Sequence, residues 1–379
     1  MHCQPNHCCP AVLKKRNAIP ASGIAIEPQE IELSPGETFG LTVTVTPENA
    51  TDTIINWSSD HPEIASVDAG GTVTAISFGD AVITAVTSED GLTATCNVTV
   101  RFETDYPGEL VRIKAGSFMM GSPETDPQKQ NNELPQHEVT ITKDFYMSAC
   151  EVTNTQYAAF LNETGVGPDG TGTLTYTDLI TGQEKTVTEI LIADSYDENI
   201  TGAENDVWGC GWNGSEWEPA EGFENCPVVF VSWFGAMAYA QYYGASLPTG
   251  AQWEYACRAG SDTPWFFGNS SAQMSSYAWY RDNSDGHPNP VGTKEPNQWG
   301  LYDMYGNVWE WCRDYNGYYS EGPVTDPVNT GENEFGYEYE MRGGSWYFTA
   351  ETIRSALRWS HADWRYFNQV GFRIVYNAE

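Results

Sequence analysis

Between Ala21 and Val100, apolar and polar residues alternate with a two-residue period in short runs rich in Val, Ile and Thr, such as LTVTVTP, AVITAVT and TATCNVTV. Turn signals (SPGE, DAGG, SEDG) separate these runs at the spacing of an all-β sandwich, and the alternation points Trp57, Ala65, Val67, Val73, Ile83 and Ala85 inward. From Leu110 the pattern changes. LVRIKAGSFMMGS predicts a strand entering a glycine turn, and HEVTITKDFYMSACEVT predicts two more. Thr153 and Gln156 then fit a capping box that opens a helix, with Ala158, Ala159, Phe160 and Leu161 as its apolar face and Gly165 at its stop. The polar, Gly-rich stretch from Val166 to Asn225, with Trp208, Trp212 and Trp217, reads as an insertion with little regular structure. PVVFVSWFGAMAYAQYYGASLPTGAQWEYACRAG predicts two successive helices. Ser232 caps the first and Gly244 ends it; Thr249 with Gln252 opens the second and Gly260 closes it. Beyond it the chain reads as loop-rich through LYDMYGNVWEWCRDY. The expected organisation is a tail over 1–20, a β domain over 21–101, a polar linker from Phe102 to Gly108 and an α+β domain over 109–379.

The stretch from Met341 to Tyr376, MRGGSWYFTAETIRSALRWSHADWRYFNQVGFRIVY, keeps neither the helical nor the strand period for long. Aromatic rings interleaved with small polar groups suit a binding surface, because Tyr and Trp give contact area for few rotatable bonds while Ser, Asn and Asp adapt their hydrogen bonds. A loop-rich tail whose aromatics fill the core is the alternative.

Charge narrows the partners. Lys and Arg total 18 against 52 Asp and Glu, a net charge of -34, with no cluster of cations for phosphate, so no nucleic acid or anionic membrane is expected as partner. No run of 18 apolar residues predicts membrane insertion. Met1–Gly23 lacks the apolar core of a secretion signal, so a cytoplasmic chain, a leader outside this sequence and another export route stay open. Cys3, Cys8 and Cys9 beside His2 and His7 have the chemistry of a soft metal site, but their spacing fits no zinc pattern.

Taken together, GSFMMGS, EVTNTQYAAFL, PVVFVSWFGAMAYAQYYG, LPTGAQWEYACRAG, WGLYDMYGNVWEWCRD, RGGSW and GFRIV resemble the formylglycine-generating enzyme family, also called the sulfatase-modifying-factor domain, from Leu110 to Tyr376. The resemblance implies an α+β, loop-rich C-type lectin fold. NWSSDHPEIASVDAGGTVTAISFGDAVITA resembles the group 2 bacterial immunoglobulin-like domain, which implies a stalk or spacer of a surface protein. Family members that oxidise sulfatase cysteines use two cysteines, five residues apart, to bind copper after GGS-aromatic. The matching positions here are Phe348 and Ile353, and no cysteine follows Cys312. Neither side chain binds copper, so the resemblance implies no oxidase activity and no copper, unless Cys257 or Cys312 reaches the same pocket. The sulfoxide synthases of ergothioneine biosynthesis need an iron-binding His domain upstream, whereas this chain has six His and a β-sandwich there.

The segment also resembles the variable proteins of diversity-generating retroelements, which hold hypervariable positions between GGSW and GFR. That likeness implies a non-enzymatic protein whose contact positions are Tyr347, Phe348, Thr349, Leu357, Trp359, Ser360, His361, Asp363, Tyr366, Phe367 and Asn368. The side chains reachable from randomised Asn codons include nearly all of these; Ile353, Trp359, Ala362 and Trp364 fit less well. It implies a protein or glycan ligand and an extracellular, cell-surface or virion location. The resemblance further implies a structural calcium with carboxylates from Asp303 and Glu310 and carbonyls from Gly306 and Val308. Arg354, Arg358, Arg365 and Arg373 are expected to pair with internal acids. An oxidase relative and a structural envelope or virion protein are the rivals.

Overall fold

The computed structural model describes residues 18–51, 53–76, 79–101, 104–194, 208–334, 336–363, 365 and 367–377. The Cys3, Cys8, Cys9, His2 and His7 group, Phe102 of the linker, Trp364 and Tyr366 lie outside them. The chain divides into two compact units, Met1–Thr104 and Asp105–Glu379.

The first unit is all-β. Its strands are β1 (Gly23–Glu27), β2 (Glu30–Leu33), β3 (Thr38–Gly40), β4 (Thr42–Thr46), β5 (Ile55–Ser59), β6 (Ala65–Val67), β7 (Thr72–Ala75), β8 (Gly79–Thr87) and β9 (Thr93–Val100). They form sheets β2-β9-β8-β5, β3-β7-β6 and β1-β4. The alternation in β8 and β9 buries Ala81, Ile83, Ala85, Cys96, Val98 and Val100 on one side, as the two-residue period requires. Trp57 is half-buried with its ring over Gly71, where an added Cβ would stand 2.6 Å from Cζ2.

The second unit is α+β and begins with β10 (Leu110–Ile113), β11 (Gly116–Met120), β12 (His137–Ile141) and β13 (Phe145–Ser148). Helix α1 (Asn154–Glu163) starts at the expected capping box: Thr153 Oγ1 accepts from the Gln156 N–H, and Gln156 Oε1 accepts from the Thr153 N–H. Helices α2 (Trp233–Tyr242) and α3 (Gly250–Arg258) start at Ser232 and Thr249 as read from the sequence. The second ends one residue early, because Ala259 itself takes the left-handed conformation at φ 46° before Gly260.

Two expectations fail. The insertion holds regular structure in its described part: β14 (Thr171–Thr177) pairs with β15 (Glu184–Ile190), and β16 (Cys210–Trp212) with β17 (Trp217–Pro219). Threonines on the exposed face hid the alternation; Leu174 and Tyr176 alternate inward, and Tyr176 meets Trp233 of α2 edge-on at 5.4 Å. The stretch WEWCRDY is not loop but β18 (Trp309–Tyr315), flanked in one sheet by β20 (Tyr339–Arg342) with β21 (Arg358–His361) beyond it, and by β22 (Val370–Gly371) on its other side. Buried on both faces, β18 shows no alternation for the eye to catch. Short β19 (Val324–Thr325) extends β11-β12, and β23 (Val375–Asn377) pairs with β13.

Candidate functional site

Arginines hold the interior under the Met341–Tyr376 stretch. Arg373 binds both oxygens of Glu310, at 2.6 and 2.9 Å, and spends its remaining donors on the carbonyls of Ser148, Ala149 and Tyr302. Arg354 grips Glu133 at 2.7 and 2.9 Å. Arg358 and Arg342 share Glu340, and Arg342 with Arg258 share Glu254. Burial pushes the Glu254 carboxyl up, but Arg258 and Arg342 outweigh it and leave the group below its ordinary range. Three of the four expected arginines pair this way. Arg365 lies at the surface.

The outward side of the same stretch is different. Tyr347 is 52% exposed and Trp359 46%. Phe348, Thr349, His361, Asp363, Phe367 and Asn368 are half-buried. Leu357 and Ser360 are not on this face. Leu357, 2% exposed, packs near Gly344, and Ser360 points inward to donate to Glu338 and accept from Asn333. In β21 the two-residue period decides this: Arg358 and Ser360 turn in, Trp359 out.

The backbone beneath the exposed side chains is clamped from elsewhere in the chain. Asn307 O accepts from the Trp346 N–H, and Ser284 Oγ donates to the Trp346 carbonyl. Arg281 donates from Nε to the Tyr347 carbonyl and from its backbone to that of Phe348. The N–H groups of Trp233, Phe230 and Trp309 donate to the carbonyls of Asp363, Phe367 and Gln369. Gly343 and Gly344 start the segment at φ 90° and 78°, and a Cβ on Gly344 would lie 2.2 Å from Ile353. Trp208, from the insertion, stands edge-on to Trp346 at 5.4 Å, a neighbour that the sequence did not signal.

Ile353 is fully buried, and Phe348 leans edge-on against Trp309 at 5.3 Å. Cys257 lies beside Tyr305 and Ser355, but burial pushes its thiol up to about 12; burial also pushes the Cys312 thiol up. A cavity of about 330 Å³ adjoins Arg354, with Ser122, Thr125, Asp126, Arg258 and Asn269 in its wall.

The proposed calcium ligands meet a mixed environment. Both Glu310 oxygens are engaged by Arg373 and by the Trp253 indole N–H at 2.7 Å. Asp303 accepts from the Gly292 N–H through Oδ2, while its buried Oδ1 and both oxygens of buried Glu151 have no hydrogen-bond partner. Burial raises the Asp303 carboxyl to about 6 and Glu151 well above its usual range, the Asp303 charge adding to the latter. Among the described residues no three Asp, Glu, His or Cys side chains converge as a metal site. Of the two carboxylates, Asp303 keeps one oxygen without a hydrogen-bond partner, whereas Arg373 and Trp253 hold both oxygens of Glu310.

Residues 97–378 match the model of the sulfatase-modifying factor enzyme 1-like domain. The chain belongs to this family. Residues 20–98 match the group 2 bacterial Ig-like domain. Within the family, the formylglycine-generating enzyme of Streptomyces coelicolor is 31% identical over 293 residues, covering 71% of this chain and 89% of that protein. The mouse formylglycine-generating enzyme is 33% identical, covering 55% of this chain and 58% of its own length. Among solved structures, PvdO from Pseudomonas aeruginosa superposes with a TM-score of 0.53 at 28% identity, covering 72% of this chain and 95% of that one. Treponema denticola variable protein 1 aligns over 72% of this chain and 98% of its own, with a TM-score of 0.49 and 21% identity.

Proposed function

We propose that this family member is a non-enzymatic ligand-binding protein whose contact face is built from Tyr347, Phe348, Thr349, Trp359, His361, Asp363, Phe367 and Asn368. The observation that carries the reading is the division of labour within one segment. Buried arginines and glycines fix its path, groups outside it clamp its carbonyls and N–H groups, and exposed rings project from the result. Side chains on such a scaffold exchange without harm to the fold. Hypervariability of these positions is part of the proposal. The test is the surrounding DNA: an imperfect copy of the codons for 346–372, differing only at adenines and beside a reverse-transcriptase gene, is expected, and its absence counts against variation.

The oxidase reading draws on the kinship with formylglycine-generating enzymes and on the polar cavity beside Arg354. Incubation with copper and a Cys-type sulfatase peptide decides between them; no formylglycine is expected, and turnover refutes the binding-protein reading. A calcium ion held by Asp303 with the Gly306 and Val308 carbonyls is likewise proposed, as a brace for the loops. A rise in melting temperature with calcium that chelator reverses is expected, and its absence refutes the site. The Ig-like domain supports a cell-surface location, read by protease accessibility on intact cells. No helix of the described residues is long and apolar enough to cross a membrane.

A further inference from the structure

Five guanidinium groups of the second unit, on Arg258, Arg342, Arg354, Arg358 and Arg373, are buried and neutralised by acids. Arg281 is exposed at the edge of the contact face. Its Nε donates to the Tyr347 carbonyl at 2.8 Å, and its Cζ lies 4.9 Å from the centroid of the Tyr347 ring. No carboxylate among the described residues comes within ion-pair distance of it. One side of the planar fork is therefore pinned and one face stacked, while the two terminal nitrogens remain as a paired donor. That arrangement matches a carboxylate bidentately, with little side-chain entropy left to lose on binding.

From Arg281 an aromatic strip runs along the face, its exposed and half-buried rings joined through Trp309, which is buried beneath Phe348 and Trp359. Tyr347 and Phe348 are 6.2 Å apart at 83°, Phe348 and Trp309 5.3 Å apart at 88°, and Trp309 and Trp359 6.5 Å apart at 39°. Two of these three pairs meet at near right angles and the third is tilted, which makes notches and edges rather than a level platform. Successive sugar rings need flat faces to stack on; branched aliphatic side chains seat in notches.

We infer that Arg281 is the fixed anchor of the contact face and takes a carboxylate of a protein partner, an acidic side chain or chain terminus flanked by aliphatic residues that seat along Tyr347–Trp359. The inference rests on the binding-protein reading above and deepens it. Arg281 lies outside the Trp346–Gln369 segment, so the anchor persists whatever side chains that segment carries.

The test selects binders to the full-length chain from a displayed library of random 12-residue peptides, with an array of acidic and neutral glycans in parallel. Enriched peptides are expected to carry Asp, Glu or a required free C-terminus next to aliphatic residues. Arg281→Gln is expected to weaken them at least about tenfold, amidating the acid to cost the same, and the two changes together to cost no more than either. Arg281→Lys keeps the charge over Tyr347 but loses the fork, and is expected to melt like the parent and still lose several-fold. Peptides that need Trp359 but show no acid preference, or that ignore Arg281→Gln, overturn the anchor and leave the face standing. Acidic glycans bound through Arg281 without any peptide overturn the protein partner. Enriched probes indifferent to Trp359→Ala, or no bound probe of either kind, overturn the binding face itself and the anchor with it.

Discussion

Arg358 and Trp359 are adjacent in one short strand and live under opposite rules. Arg358 is fully buried, bound to Glu340 and stacked on Tyr319 at 4.1 Å, while Trp359 is nearly half exposed. The contrast extends along the whole stretch. Its inward side is a charged framework in which each group depends on its partner, and its outward side is a set of exposed and half-buried rings that pack mainly on one another. A surface open to exchange would need such an intolerant layer directly beneath it.

The contrast breaks most visibly at Arg373. Replacing it with Met leaves Glu310 buried without its partner, so a loss of about 3–5 kcal/mol in denaturant unfolding is expected. Arg281→Gln gives up one surface hydrogen bond to the Tyr347 carbonyl and the contact with its ring, and is expected to cost about 1 kcal/mol. Should the two cost the same, the division between framework and face is wrong.

Gly344→Ala comes next. The residue sits at φ 78°, and the new methyl meets Ile353 at 2.2 Å, so about 2–3 kcal/mol is expected from strain and displaced packing. Ile353→Ala in the same background is expected to relieve part of that cost, measurable as non-additivity in a double-mutant cycle.

Asp314 sharpens the framework's electrostatics. Burial, then the Glu340 charge, raises its carboxyl to about 7, although it accepts from the Gly250 and Asn329 N–H groups. A folded-state value above the unfolded one means that ionisation opposes folding. This contribution is therefore full below about pH 4 and lost as pH rises toward 7. Asp314→Asn is expected to flatten that part of the pH–stability curve by about 2–3 kcal/mol between pH 5 and pH 8. A curve parallel to the parent's contradicts the assignment.

The smallest effects belong to the face. Tyr347→Ser and Trp359→Ser are expected to change stability by under about 0.5 kcal/mol each, while changing which probes are bound. If either unfolds the domain, its ring is structural and not a contact group.

Much of the scaffold was legible. The capping boxes at Thr153 and Thr249 were visible because a cap is a local bargain among four residues. The alternation of β8 and β9 was visible because each strand has a wet face. Strand β18 was not, since burial on both sides erases the period, and the β14–β15 hairpin was masked by threonines. Within the face, Tyr347 and Trp359 were assigned to the surface, but Leu357 and Ser360 went inside. Their inclusion followed residue type, which does not report the register of β21. Trp208 stood out in the insertion, but its place beside Trp346, like that of Arg281 beside Tyr347, was not legible because nothing along the chain links them to residues 346–347.

By itself the sequence determined the two domains, the helix starts and the family, because each is written in residues close together or in motifs kept in order. Only the tertiary structure decided which side chains of the last segment face water, which acid each arginine neutralises and which distant groups clamp the backbone under the rings. Those are long-range pairings, set by where β18, β20 and β21 register against one another, and a one-residue shift in that register would have exchanged the inside for the outside.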